Sequence, residues 1–144
     1  MSHPRVIVGL DGSRNSLAAL RRAAKEASAR EAVLDVLYVI DEAVAADPRS
    51  SRAARTLAAN LADGTAREFP GLKVETVVVA GSAAMELCRH ATPTDLLVMG
   101  ARQEDGPLRG ATVTSVLRMA PCRVLLCSDF DDNHRLAWTV AVRL

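Results

Sequence analysis

Apolar residues along the chain fall into short, nearly unbroken runs, separated by stretches in which they recur every three to four positions. Residues 4–10 (PRVIVGL) form the first run, rich in β-branched side chains, and end in Asp11-Gly12-Ser13, a turn carrying helix N-cap residues. In residues 15–30, Leu17, Leu20, Ala24 and Ala27 recur at i, i+3, i+7 and i+10, while Arg21, Arg22, Lys25 and Glu26 fill the other side. That is an amphipathic helix. The alternation repeats with a strand over residues 33–40 (VLDVLYVI). A helix over 48–69 follows, with Ala54, Leu57, Ala58, Leu61 and Ala62 at helical spacing, closed by Pro70-Gly71. Residues 72–80 (LKVETVVVA) read as a third strand, Gly81-Ser82 as a turn and cap, and 83–91 as a short helix with Leu87 and Cys88 inward. The fourth strand is 95–100 (DLLVMG), and the fifth is 122–127 (CRVLLC). Between them, residues 112–120 place Val113, Val116, Leu117 and Ala120 on one helix face. Five near-continuous apolar strands alternating with four helices predict an α/β fold. Its parallel sheet is covered by helices on both faces, with right-handed crossovers and a ligand crevice at the carboxyl ends of the strands.

The tail changes rhythm. Residues 128–133 (SDFDDN) are turn-like, and then Trp138, Val140, Val142 and Leu144 alternate with Thr139, Ala141 and Arg143, the pattern of a sixth strand with one apolar face. The chain therefore divides into an α/β domain over 1–128 and a tail over 129–144. The tail is either an edge or intersubunit strand, or an arm folded back on its own domain.

Composition narrows the function more than the fold. The 144 residues are 49% hydrophobic and 24% charged, ordinary for one globular domain. Eighteen basic against seventeen acidic residues leave a net charge of +1, so no global field draws in nucleic acid or an acidic membrane. The aromatic residues Tyr38, Phe69, Phe130 and Trp138 are not interleaved with a basic cluster, and no nucleic-acid partner is expected. The run Arg49, Arg52, Arg55 reads as a solvated helix face. Apolar stretches such as 77–80 and 124–127 are far shorter than the ~20 residues that span a bilayer. The first residues carry no signal-peptide core, so no membrane role and a cytoplasmic location are expected. Cys88, Cys122 and Cys127 are read as reduced thiols, the last two on opposite faces of a strand, and no metal site is expected. His3, His90 and His134 are far apart and adjoin no candidate nucleophile.

Four segments carry a family resemblance: residues 6–13 (VIVGLDGS), 37–39 (LYV), 96–102 (LLVMGAR) and 120–126 (APCRVLL). Together they resemble the universal stress protein (UspA-like) family over about residues 4–127. The resemblance implies a five-stranded parallel sheet of order 3-2-1-4-5 and a cytoplasmic homodimer made through the fifth strand. In one subclass it also implies ATP bound across the ends of strands one and four.

On this resemblance the candidate nucleotide-binding residues are Asp11, Val39, Gly100, Arg102, Gly110 and Thr112. Asp11 stands at the family's nucleotide-contacting acidic position; the residues alone point rather to a cap of the first helix, and both roles are compatible. Val39 matches a position whose backbone meets adenine, though by itself it is a strand-end valine. The loop after strand four departs from the ATP-binding pattern of G-x-x-G, nine residues, then G-S or G-T. Gln103 replaces the second glycine, Gly110-Ala111-Thr112 is the best match to the closing pair, and the span from Gly100 is three residues short. Losing a glycine from an anion cradle removes a permissive backbone position and room for phosphate. Glu104 and Asp105 add charges that repel a triphosphate by ~1 to 4 kcal/mol each, offset in part by Arg102 and Arg109.

No catalytic residues are expected. The loop after strand one shares only scattered residues with an ATP pyrophosphatase loop, and the only lysines, Lys25 and Lys73, are misplaced for a phosphoacceptor receiver. The first reading is thus a non-enzymatic, dimeric stress-response protein acting through protein contacts, with a degenerate nucleotide loop and no firmly held cofactor. The alternative is an ATP- or nucleotide-binding switch. In either case strand five is an edge that needs covering, and a homodimer through strand five with the tail taking part is expected.

Overall fold

Strand β1 (Arg5–Leu10) lies in the middle of a six-stranded sheet, and helices α1 and α4 approach it from opposite faces. The computed structural model describes residues 4–11, 14–100, 111–129 and 136–141. The chain continues through α1 (Arg14–Arg30), β2 (Val33–Ile40), α2 (Glu42–Ala46), α3 (Pro48–Glu68), β3 (Val74–Ala80), α4 (Ala83–His90), β4 (Leu96–Gly100), α5 (Ala111–Met119), β5 (Arg123–Asp129) and β6 (Leu136–Ala141). The sheet order is β3-β2-β1-β4-β5-β6. The first five strands are parallel, in the order 3-2-1-4-5, and β6 joins β5 antiparallel.

The continuous apolar runs are explained by burial on both faces, since alternate side chains of one strand enter opposite cores. Val6, Val8, Leu34, Val36, Val98 and Leu125 meet the small residues Ala19, Ala23, Ala24, Ala27, Ala54 and Ala58 of α1 and α3. Ile7, Leu37, Leu97, Val124 and Leu126 meet Ala84, Leu87, Val113 and Val116 of α4 and α5. Each such side chain, fully removed from water, contributes about 1.5–3 kcal/mol. Cys122 falls in the second core and Cys127 in the first, on opposite faces as their spacing requires.

Asp95 fixes the start of β4. One carboxylate oxygen accepts from the Thr92 amide at 2.8 Å and the other from the Arg5 amide at 2.9 Å, tying the turn before β4 to β1. Arg5 also reaches the largely buried Asp35 at 3.0 Å and Glu75 at 3.5 Å, bridging three strands at their amino ends.

Four details differ from the sequence pattern. A fifth helix, α2, follows β2; it buries no residue, so no hydrophobic period marks it. β3 begins at Val74 rather than at residue 72. Ser128 and Asp129, turn-forming by composition, continue β5 because they pair with Ala137 and Leu136 of β6, tertiary pairing overriding local preference. The expected apolar-face residues Leu17 and Leu57 are 42% and 43% exposed, the helices being seated on their alanines instead. The tail strand spans Leu136–Ala141, folded along β5 within the same chain; residues 142–144 lie outside the described residues.

Candidate functional site

At the carboxyl edge of the sheet β2 outruns β1. The last β1–β2 partners are Leu10 and Tyr38, so Val39 and Ile40 stand beyond the end of β1 and leave a step beside Asp11. Helices α2 and α3 wall that step into a crevice of about 380 Å³, within the usual size range of small-molecule pockets. Asp11, Tyr38, Val39, Ile40 and Asp41 form its strand side; Val44 of α2 and Ser50, Ala53, Ala54 and Leu57 of α3 form the other. Tyr38 is buried, and Leu57 presents an apolar edge to solvent.

Two aspartates shape these walls through helix capping. Asp41 caps α2 by accepting from the Val44 amide at 2.8 Å. Asp47 caps α3, whose first residue is Pro48, by accepting from the Ser50 hydroxyl at 2.6 Å and the Ser50 amide at 3.2 Å. The Ser50 hydroxyl, and then its amide, hold the Asp47 carboxyl below its usual range. The crevice therefore combines apolar walls with the carboxylates of Asp11 and Asp41, suited to a flat apolar ring bearing hydroxyl or amine donors. Asp11 also donates its amide to Ser16 Oγ at 3.4 Å, which anchors the strand end to the first turns of α1.

Of the residues expected from sequence, Asp11 and Val39 come together in this crevice. Gly100 ends β4, and its surroundings explain the glycine by packing. A Cβ there would lie 2.6 Å from the Asn15 carbonyl carbon, 2.7 Å from its oxygen and 2.8 Å from the Ser16 amide nitrogen. The glycine lets β4 pass against the start of α1. Thr112 belongs to α5. Arg102 and Gly110, with the rest of the loop at 101–110, lie outside the described residues. Sequence reasoning passed over Tyr38, Asp41, Ser50, Ala53 and Leu57. The available signal was Asp41 and the Asp47-Pro48 pair, two cap signatures that announce paired helix starts just after a strand.

Burial pushes the thiols of Cys122 and Cys127 up to about 11, with Asp95 adding to the effect at Cys122; both are inert side chains of the core. His90 is exposed and shares its Nδ1 with the Glu86 carbonyl at 2.8 Å. Among the described residues there is no cluster of three or more histidine, cysteine or carboxylate side chains that could hold a metal, and no helix is long and apolar enough to cross a membrane.

Comparison with known proteins is consistent with this geometry. The model of the universal stress protein family matches residues 3–128. Among solved structures, the universal stress protein UspA from Lactobacillus plantarum shares 25% identity at a TM-score of 0.63, over 88% of this chain and 98% of that one. A universal stress protein solved in complex with cAMP shares 24% identity at a TM-score of 0.66, over 88% and 97% of the two chains. The universal stress protein from Archaeoglobus fulgidus in complex with dAMP shares 17% identity at a TM-score of 0.69, over 88% and 98%. Among curated proteins no relative matches.

Proposed function

The chain belongs to the universal stress protein family, and from that premise we propose that it is a regulatory protein that binds an adenine nucleotide in the crevice between β1, β2 and α3. The observation that carries the reading is the meeting of Asp11, just past the end of β1, and Val39 of β2 in one cavity of suitable size. The family is generally regulatory rather than catalytic, so binding itself is the proposed activity. The cAMP and dAMP complexes of two proteins of the same fold support a nucleotide as the ligand class.

Each wall has a physical task. The Asp11 carboxylate accepts from ribose hydroxyls, as acidic residues at strand ends do in other open α/β sheets. Tyr38, Val39, Ile40, Val44 and Leu57 supply apolar surface for the base. The nucleotide reading replaces the protein-contact reading as the leading one because a formed crevice exists beside Asp11 whatever the loop after β4 contributes. Calorimetric titration with Mg-ATP, together with analysis of nucleotide released on denaturation, tests it. Micromolar binding or co-purified nucleotide is expected; no binding up to millimolar ATP would contradict it. The strand-five edge expected from sequence is not open, because β5 pairs with β4 on one side and with β6 of the same chain on the other. We therefore also propose a homodimer made through the tail strand β6, which forms the outer edge of the sheet on that side.

A further inference from the structure

The outer face of α3 carries a second groove. Arg49, Arg52, Ala53, Thr56, Leu57 and Asn60 line it, and its volume is about 420 Å³. It shares Ala53 and Leu57 with the crevice, so the two cavities are neighbours with that pair of side chains between them. The spacing is that of a single helix face, with Arg49, Arg52 or Ala53, Thr56 or Leu57, and Asn60 on successive turns. Arg49 and Arg52 are exposed, and neither has an ion pair among the described residues.

Charge across the two neighbouring cavities is polarised. The crevice side holds Asp11 and Asp41, which disfavour a phosphate, and the loop after β4 carries Glu104 and Asp105 in its sequence. The α3 side offers two guanidinium groups, with Thr56 and Asn60 as further hydrogen-bond donors. We propose that a nucleotide bound in the crevice directs its phosphate to Arg49 and Arg52 of α3. These two residues then set the preference for a nucleotide over a nucleoside. The inference rests on the crevice reading above and deepens it: the ligand is a nucleoside phosphate whose uncharged part is held by the strand ends and whose anion is held by α3. Arginine suits the task because its planar fork pairs with two phosphate oxygens at once.

The test uses the full chain and three probes, adenosine, AMP and Mg-ATP, titrated calorimetrically at low and at physiological salt. For the unaltered protein AMP and ATP are expected to bind at least tenfold more tightly than adenosine, with the advantage shrinking as salt rises. In R49E/R52E the nucleotides should fall at least tenfold, to the level of adenosine, while adenosine stays within twofold. R67E, on the same helix but about four turns away, should bind all three probes as the unaltered chain does. R49Q/R52Q provides a milder pair should charge reversal disturb folding, and should give a smaller loss in the same direction. Adenosine binding with no gain from phosphate overturns this inference alone. So does a phosphate gain that survives R49E/R52E, whether or not it disappears in R102E. Binding of neither adenosine nor any nucleotide overturns the crevice reading, and this inference with it.

Discussion

Replacing Gly100 by alanine should destabilise the domain by about 3 kcal/mol, for reasons of space alone. The added methyl would stand 2.6 to 2.8 Å from three backbone atoms of Asn15 and Ser16, where ordinary contact begins at 3.4 Å. The end of β4 and the start of α1 must therefore part by 0.6 to 0.8 Å. Neither side yields easily. β4 is hydrogen-bonded between β1 and β5, and α1 is seated on the sheet through Ala19, Ala23, Ala24 and Ala27, none of which has measurable exposure. Overpacking costs typically ~1–3 kcal/mol, and a clash that is backbone against backbone belongs at the upper end. In a domain of this size that loss lowers the melting temperature by roughly 10 °C. Urea denaturation followed by circular dichroism, with a thermal melt alongside, measures it. Gly9→Ala is the internal control: its Cβ would come closest to the Leu87 side chain, whose end atoms stand at 2.8 and 3.0 Å and yield more readily than backbone. About 1 kcal/mol is expected there. A loss below ~1 kcal/mol for Gly100→Ala, or equal losses for the two variants, would refute the packing argument.

Three further outcomes follow from particular residues. Glu31 sits at φ 55° just past α1, where the Ala32 amide reaches the Ala27 carbonyl at 2.9 Å and the Glu31 amide reaches Ser28 at 3.3 Å, a helix ending that favours glycine. Glu31→Gly should therefore stabilise the protein by about 0.5–1 kcal/mol in chemical denaturation, and a loss would count against the strain. The buried thiols of Cys122 and Cys127 stay protonated in the native state up to about 11, while in the unfolded chain they ionise near the ordinary 9.0. The native state then binds more protons than the unfolded one, so stability should fall as pH rises from 9 to 11. The fall should flatten in C122A/C127A; an equal slope in that variant would contradict the assignment. Deleting residues 129–144 removes β6 and bares the edge of β5, so light scattering should show a changed self-association. An unchanged, stable dimer would remove the tail from the proposed interface.

The sheet was legible because its strands are buried on both faces, which writes them into the sequence as unbroken apolar runs such as VIV, VLYVI and LLVM. Their order came from the resemblance carried by four short segments. Periodicity succeeded for α1 and α3 as elements but misplaced Leu17 and Leu57. A helix seated on alanines turns its larger apolar residues to the rim, and hydrophobicity alone does not distinguish rim from floor. At Leu57 that error concealed the crevice, since this side chain forms its lip. α2 is a single short turn that only half-buries Val44 and Ala45 and so left no hydrophobic period, although Asp41 and Asp47 mark the helix starts that wall the site. Gly100 carried a conspicuous signal with two explanations, phosphate approach and helix packing, and only the distances to Asn15 and Ser16 reveal the second. Arg49 and Arg52 read as a solvated face because nothing local in the sequence says that Ala53 and Leu57 separate their groove from a crevice at the strand ends.

The most direct test of the central claim is a calorimetric titration of Mg-ATP into the unaltered chain and into Ala53→Trp. Ala53 is exposed and lines the crevice, so the indole should fill the cavity without entering the core. Micromolar binding to the unaltered chain, and at least a tenfold loss in the variant at an unchanged melting temperature, are expected. Equal affinity for both, or no affinity for either, would contradict the claim.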